Sequence, residues 1–416
     1  MSDDIELRHV EADEIEAFEH AKAVTFLDDL SEVARFTPLR RRSWEPARIW
    51  GALADGRFVG TLRTMSRQLS LPGAYGATID VTADALTSVT VSATHRRRGL
   101  MRRMLGDSLD AARERGDVLS ILIAAEWAIY GRFGYWPAAT WAGVTLHSAR
   151  AGARMAVPTT GSLRQVDARE MRKLAPAVFE VARTQRAGQI DRRDIFWDLY
   201  VLPEWRRTGQ REQIEIVHEG DDGVDGCLAW CPTRDFDQVK GGAIDVADLF
   251  ATNQDAYTAL WGYLLSLDVV EEIRVVARPP DEPLPYLLVD GRSARTTALF
   301  DAMWVRLLDV PAALSARRYA VPGRLCFDVI DDDIGGYTTG RYLLDAGPDG
   351  SECHPAPERT PQLRLSQRAL AAVYLGQPSL RRQQVAGLVD ELTPGAVHRA
   401  DVMFATALQP WVATGF

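Results

Sequence analysis

Hydrophobic and polar positions along the chain change period several times, and each change marks an element. Val89, Val91 and Ala93 alternate with polar residues, which is the period of a half-buried strand. Met101, Met104, Leu105, Leu109 and Ala112 then recur at three- and four-residue steps, so a helix with one apolar face follows. Gly116 ends it, and residues 118–125 read as a second, buried strand. Between the first strand and the helix lie His95, Arg96, Arg97, Arg98 and Gly99.

The rest of the chain is arranged around this stretch. Ile5, Leu7 and Val10 precede a helical pattern over 12–23, which continues through 24–30. Arg40 to Arg42 reads as a solvated turn or linker. Apolar runs at 48–54 and 57–65 flank Asp55-Gly56, a hairpin signal, and residues 81–91 lead into the central strand. A strand over 141–146 is expected to complete a first domain at residues 1–150. Residues 151–296 repeat the theme: a helix over 167–186 that Pro176 should kink or split, strands at 213–218, 226–231 and 243–251, and a helix over 256–267. No arginine-and-glycine turn follows Phe250, and Asp248 stands near where one would begin. The proline-rich run 279–285 marks a boundary, and residues 297–416 form a third domain with strands at 323–331, 341–345 and 362–365 and a helix over 366–375. Asp331, Asp332 and Asp333 are consecutive rather than alternating, so they read as a turn and not a calcium loop.

Composition narrows the function. A chain of 416 residues exceeds one ordinary core, in keeping with three domains, and its 46% hydrophobic and 25% charged residues are those of a globular protein. No apolar run reaches the ~20 residues that span a bilayer, and the acidic start is unlike a secretory signal, so a cytoplasmic protein without membrane contact is expected. Four cysteines make no disulfide framework; Cys227 and Cys231 lack a second pair at zinc spacing and the seven histidines are scattered, so no metal site is expected. The net charge of −9 argues against nucleic acid and suits a cationic partner.

The arginine turn carries the chemistry. The first amides of a helix have no internal partner and carry the positive end of its dipole, and a glycine lets a phosphate approach them closely. Arg96, Arg97, Arg98, Gly99 and Leu100 therefore read as a phosphate-binding turn, the alternative being a solvated basic turn. Arg96 to Met101 resembles the Arg/Gln-x-x-Gly-x-Gly/Ala acyl-CoA pyrophosphate loop of the GNAT N-acetyltransferase superfamily, with Met101 where Gly or Ala is usual. With the segment Ile129 to Tyr135 following it, the stretch is similar to the Eis (enhanced intracellular survival) branch. That resemblance implies an α+β fold of two tandem GNAT domains, the second lacking the coenzyme site, followed by a sterol-carrier-like domain. It implies an acetyl-CoA-dependent transfer to primary amines of aminoglycosides, polyamines or lysine side chains, and a homohexamer. A CoA- or lipid-binding sensor without turnover is the alternative.

The same resemblance distributes roles. Main-chain amides near Val89 and Val91 would meet the thioester. Tyr130 would protonate the leaving thiolate, though a tyrosine packed for its ring alone is the competing reading. Phe416 would supply a terminal carboxylate as base, in competition with a tail packed only for stability. Paired acids and an aromatic face suit an amine, which makes Asp28 or Asp29, Glu126 and Trp197 candidates, each reading equally as a surface charge or a core aromatic, with Phe26 and Trp127 as candidates for the pocket lining.

Overall fold

The computed structural model describes residues 5–151, 160–207, 209–233, 241–330, 334–377 and 380–416. Two compact units emerge: one made of residues up to Ala138, Met303–Ala407 and Gly415–Phe416, the other of Ala139–Ala302 and Leu408–Thr414. The acidic triplet at 331–333 lies outside the described residues.

The first unit opens with β1 (Ile5–His9), α1 (Ile15–Phe26), α2 (Glu32–Arg41) and the hairpin of β2 (Ile49–Ala54) and β3 (Arg57–Pro72). Asp55 and Gly56 both take positive φ, the geometry of a tight two-residue hairpin turn. The arginines at 40–41 close α2 instead of forming a solvated turn. Positive charge suits a helix C-terminus, and Arg40 reaches the buried Glu19 of α1 at 3.0 Å. There follow β4 (Thr78–Val91), α3 (Leu100–Glu114), β5 (Leu119–Ile123), α4 (Trp127–Tyr130) and β6 (Trp136–Pro137). The apolar stripe of α3 (Leu100, Met104, Leu105, Leu109 and Ala112) packs on Ala52, Leu62, Leu86 and Leu122 of the sheet.

The second unit runs through β7 (Thr140–His147), α5 (Ser148–Ala151), β8 (Ser162–Val166), α6 (Ala168–Arg183), α7 (Asp194–Val201), β9 (Ile214–Gly220), β10 (Gly223–Pro232), β11 (Gly242–Ala251), α8 (Gln254–Leu265), β12 (Val270–Arg278), α9 (Leu284–Leu287) and β13 (Ala294–Asp301). The strand expected to complete the first domain, β7, lies in the second sheet between β13 and β12. Periodicity identifies a strand but not its partner, and the second unit's sheet has an edge for it. Pro176 does not split α6: one lost hydrogen bond is outweighed by the buried face of Met171, Ala175, Val178 and Phe179. Cys227 and Cys231 are strand residues of β10, and all four cysteines are buried free thiols.

After β13 the chain returns to the first sheet. Residues 303–307, expected to lead into the third domain, form β14 (Met303–Leu307), inserted between β5 and β6. The five residues of β14 are all buried. The remainder is α10 (Val310–Ala316), β15 (Gly323–Val329), β16 (Gly340–Ala346), β17 (Ser351–Pro355), β18 (Leu363–Leu365), α11 (Gln367–Tyr374), α12 (Leu380–Val385), β19 (Val389–Glu391) and α13 (Ala396–Phe404). Its five strands order β17-β16-β15-β18-β19. Fully buried Arg317 donates to the carbonyls of Phe404, at 2.9 Å, and of Tyr374, satisfying orphan acceptors at two helix ends.

Candidate active site

β4 is the strand on which the site is built. It pairs in parallel with β5 only from Asp84 to Leu86, against Ser120 to Leu122, and beyond that point the two strands part. Against β3 it bulges: Arg63 faces Thr87 and Thr61 faces Thr90, so Ser88 and Val89 together oppose Leu62. Ser88 takes φ of +57°, and its carbonyl accepts from the Thr61 hydroxyl at 2.7 Å, while Thr61 and Thr90 hydroxyls meet at 2.6 Å. Buried hydroxyls thus hold a left-handed residue in place. The Ser92 amide bonds back to Val59 at 2.8 Å. By strand alternation the amides of Val89 and Val91 turn to the opposite edge, into the gap left by β5. Their side chains pack partly into the core, as the sequence suggested.

The turn after β4 is a concave run of amides. Arg97 has φ of +66° and Gly99 +76°, and the first internal bond of α3 runs from the Arg103 amide to the Gly99 carbonyl at 3.1 Å. Leu100 and Met101, in the first turn of α3, therefore present amides with no partner inside the helix. Nothing lies within 4 Å of where a Gly99 Cβ would be, so glycine is required here by backbone angle and leaves open space in front of the turn. Arg96, Arg97 and Arg98 are exposed, Leu100 is buried, and Met101 folds its side chain against the core, clear of the opening. This arrangement suits a phosphate group.

Tyr130 ends α4. Its ring is buried edge-on to Tyr135 and Trp304, and the hydroxyl has no hydrogen-bond partner among the described residues. Burial, and secondarily the charge of Glu126, push its phenol up to about 12. The turn that follows is locked from β14: buried Arg306 donates to the carbonyls of Phe133 and, at 2.8 Å, Ile334, and to Gln367 at 3.1 Å. Tyr135 hydrogen-bonds Ser120 at 2.6 Å, just before the strands part. Trp304 and Arg306 were missed from sequence because the strand that bears them is remote in the chain. Their residue types, a Trp and an Arg in an apolar run, were the only available signal.

The acidic and aromatic candidates scatter more widely. Glu126 is exposed at the N-cap position of α4 with no side-chain cap hydrogen bond, beside half-exposed Trp127, whose ring leans edge-on against Trp136 and Trp304. Phe26 and Asp29 are exposed and Asp28 half-buried at the corner between α1 and α2. Asp29 sits below the usual carboxylate range because it accepts the Ser31 hydroxyl and amide at 2.7 and 2.9 Å. None of these lines the cavity of about 450 Å³ bounded by His20 and Val24 of α1, Arg57 and Phe58 of the hairpin, and Thr90 and Ser92. Trp197 is a correction: it is 2% exposed in the core of the second unit, enclosed by Phe179 and Phe250, with its indole N–H on the Arg192 carbonyl at 3.2 Å. An aromatic followed by Asp198 and flanked by Phe196 and Tyr200 reads equally as core, and packing decided. Phe416 is half-buried and belongs to the first unit, as does Tyr130.

Residues 6–138 and 188–307 each match an acetyltransferase (GNAT) domain family, and residues 310–413 match the sterol carrier protein domain. The chain is 40% identical over 375 residues to an uncharacterized N-acetyltransferase of Streptomyces griseus, covering 88% of each chain. It is 31% identical over 369 residues to the N-acetyltransferase Eis of Mycobacterium tuberculosis, covering 86% of this chain and 85% of that one. The chain belongs to the Eis family of GNAT N-acetyltransferases. The crystal structure of Eis1 from Mycobacterium abscessus superposes with a TM-score of 0.84 at 29% identity, covering 99% of this chain and 100% of that chain. The architecture is thus two GNAT domains and a sterol-carrier-like domain, and the protein is an acetyltransferase. The second GNAT match begins at 188 and ends in β14, the strand that the first sheet takes up.

Proposed function

We propose that this acetyltransferase moves the acetyl group of acetyl-CoA to primary amines of compounds carrying several of them, by direct attack within a ternary complex. The observation that carries this reading is the parting of β4 from β5 after Leu86, on the strand that leads into the left-handed turn of Arg97 and Gly99 at the start of α3. The pyrophosphate would rest on the first amides of α3, at Leu100 and Met101, with Arg96, Arg97 and Arg98 around it. The pantetheine arm would enter the gap, where the amides of Val89 and Val91 would bind it and meet the thioester carbonyl. Asp28, Asp29 and Glu126, at two corners of the first unit, would draw in a polycation such as an aminoglycoside, a polyamine or a lysine-bearing peptide; the net charge of −9 supports this.

The neutral amine attacks the acetyl carbon, the C–S bond breaks, and Tyr130 gives its proton to the sulfur as charge develops there. A thiol near 8.5 and a phenol at about 12 differ by roughly 3.5 units, so full transfer in the ground state is uphill by about 5 kcal/mol. Tyr130 is therefore best used as a hydrogen-bond donor that completes the transfer only while the bond breaks. The amine's proton would pass to the Phe416 carboxylate, directly or through water. A homohexamer in the cytoplasm accompanies this reading as the family's implied assembly. Tyr130→Phe should lower kcat by about 10²–10⁴ with acetyl-CoA affinity unchanged, read by thiol release and by calorimetry. Full activity in that variant would remove Tyr130 from the chemistry.

A further inference from the structure

Helix α1 has two faces with different fates. Ile15, Phe18 and Ala23 bury one of them, while Ala17, His20, Ala21 and Val24 recur at three- and four-residue steps along the other. The two alanines leave room there that larger side chains would fill. Arg57 and Phe58 at the start of β3, and Thr90 and Ser92 at the end of β4, help to bound the same space, the cavity of about 450 Å³. Sites for small molecules commonly enclose ~300–1,000 Å³. Neither Tyr130 nor any residue from Arg96 to Leu100 lines this cavity, so it is distinct from the acetyl site although it lies in the same unit.

The lining carries one sign of charge. None of its residues is acidic, in a chain whose net charge is −9. Arg57 is exposed, and its guanidinium has no ion pair or hydrogen bond among the described residues. His20, also exposed, adds a ring N–H. The remaining wall is largely apolar: Phe58 is half-buried, and Val24 is 49% exposed. One guanidinium matches one carboxylate, which it can hold through two parallel hydrogen bonds. Phe58 and Val24 can cover a hydrocarbon body attached to that carboxylate. A polycation finds no partner in this lining.

A chain of hydroxyls leads from the cavity to the bulge of β4. Thr90 lines the cavity and pairs with Thr61 across β3 and β4. The Thr61 hydroxyl donates to the Ser88 carbonyl at 2.7 Å, so the proton in the 2.6 Å contact between Thr61 and Thr90 comes from Thr90. Ser88 is the residue held at φ of +57°, next to the Val89 amide. Solvent in the cavity competes for the Thr90 proton, and an occupant with an apolar body removes that competitor. Filling the cavity should therefore hold the bulge more firmly.

We propose that this cavity binds a small organic monocarboxylate, with Arg57 on the carboxylate and Phe58 and Val24 on its hydrocarbon body, and that the occupant acts on the acetyl site through Thr90, Thr61 and Ser88. The coupling rests on the reading that the Val89 amide meets the thioester. Phenylacetate is a probe of fitting size and charge. Calorimetry on the full chain should show it binding, with affinity about tenfold weaker in Arg57→Gln. In the parent, 2-phenylethanol, which lacks the charge, should also bind about tenfold more weakly. Saturating phenylacetate should tighten acetyl-CoA about fivefold, and acetyl-CoA should tighten phenylacetate by the same factor. Thr90→Val should keep phenylacetate binding and lose that coupling. Absence of binding, equal affinity in Arg57→Gln, or mutual exclusion of phenylacetate and acetyl-CoA would overturn the site. Displacement by inorganic phosphate at equal concentration would overturn the carboxylate assignment, and an acetyl-CoA affinity indifferent to phenylacetate would overturn the coupling. None of these measurements needs turnover, so failure to acetylate every amine would sink the amine reading and leave the carboxylate site standing.

Discussion

Tyr130 shows how one side chain's chemistry depends on its surroundings. Its ring is enclosed by Tyr135 and Trp304, and burial together with Glu126 raises the phenol to about 12, above the ordinary ~10. The sign is that of a group whose charged form is disfavoured, so the proton stays on Tyr130 through neutral and mildly alkaline pH. The alkaline side of the kcat profile should then stay flat to pH 10 in the parent. Glu126→Gln should move the Tyr130 pKa down toward 10, measured by ultraviolet titration of phenolate against Tyr130→Phe. A descending limb below pH 10 that vanishes in Tyr130→Phe would show a more acidic phenol than burial allows. From sequence, Tyr130 was legible through its motif. Trp197 was misread because an aromatic residue in the core and one facing a ligand look alike until packing is seen.

Elements were more legible than their partners. The Asp55-Gly56 hairpin, the stripe of α3 and the turn at Gly99 follow from local rules, since their period and backbone needs are written within a few residues. The partners of β7 and β14 were not, because each pairs in a sheet remote along the chain: β7 with β12 and β13, β14 with β5 and β6. This matters for the site, as β14 brings Trp304 to Tyr130 and Arg306 to the turn at Phe133. Gly134 joins these facts. It has φ of +79°, and a Cβ there would collide with the Arg306 guanidinium and Gln367. Gly134→Ala should cost about 3 kcal/mol or more of unfolding free energy in denaturant titration. It should also lower kcat more than a distant substitution of equal cost; a loss under 1 kcal/mol would mean that the turn is not locked from β14.

At the scale of the whole molecule, one fold is used twice with different outcomes. In the first unit the strands part before exposed arginines; in the second, Arg278 of β12 donates to the Leu249 carbonyl of β11, and Arg192 pairs with Asp248 and donates to Thr414. The sequence showed the absence of the phosphate turn in the second unit, but not the contact of Arg192 with Thr414, which lies 222 residues away. Composition gave the acidic balance and no more about the acceptor. The central claim, acetyl transfer to multi-amine compounds, is tested most directly by free-thiol release from acetyl-CoA, with product mass, across aminoglycosides, polyamines and lysine peptides. The account predicts amine-dependent release matched one for one by acetylated product. Binding of acetyl-CoA without release for any amine, or release without acetylated amine, would contradict it.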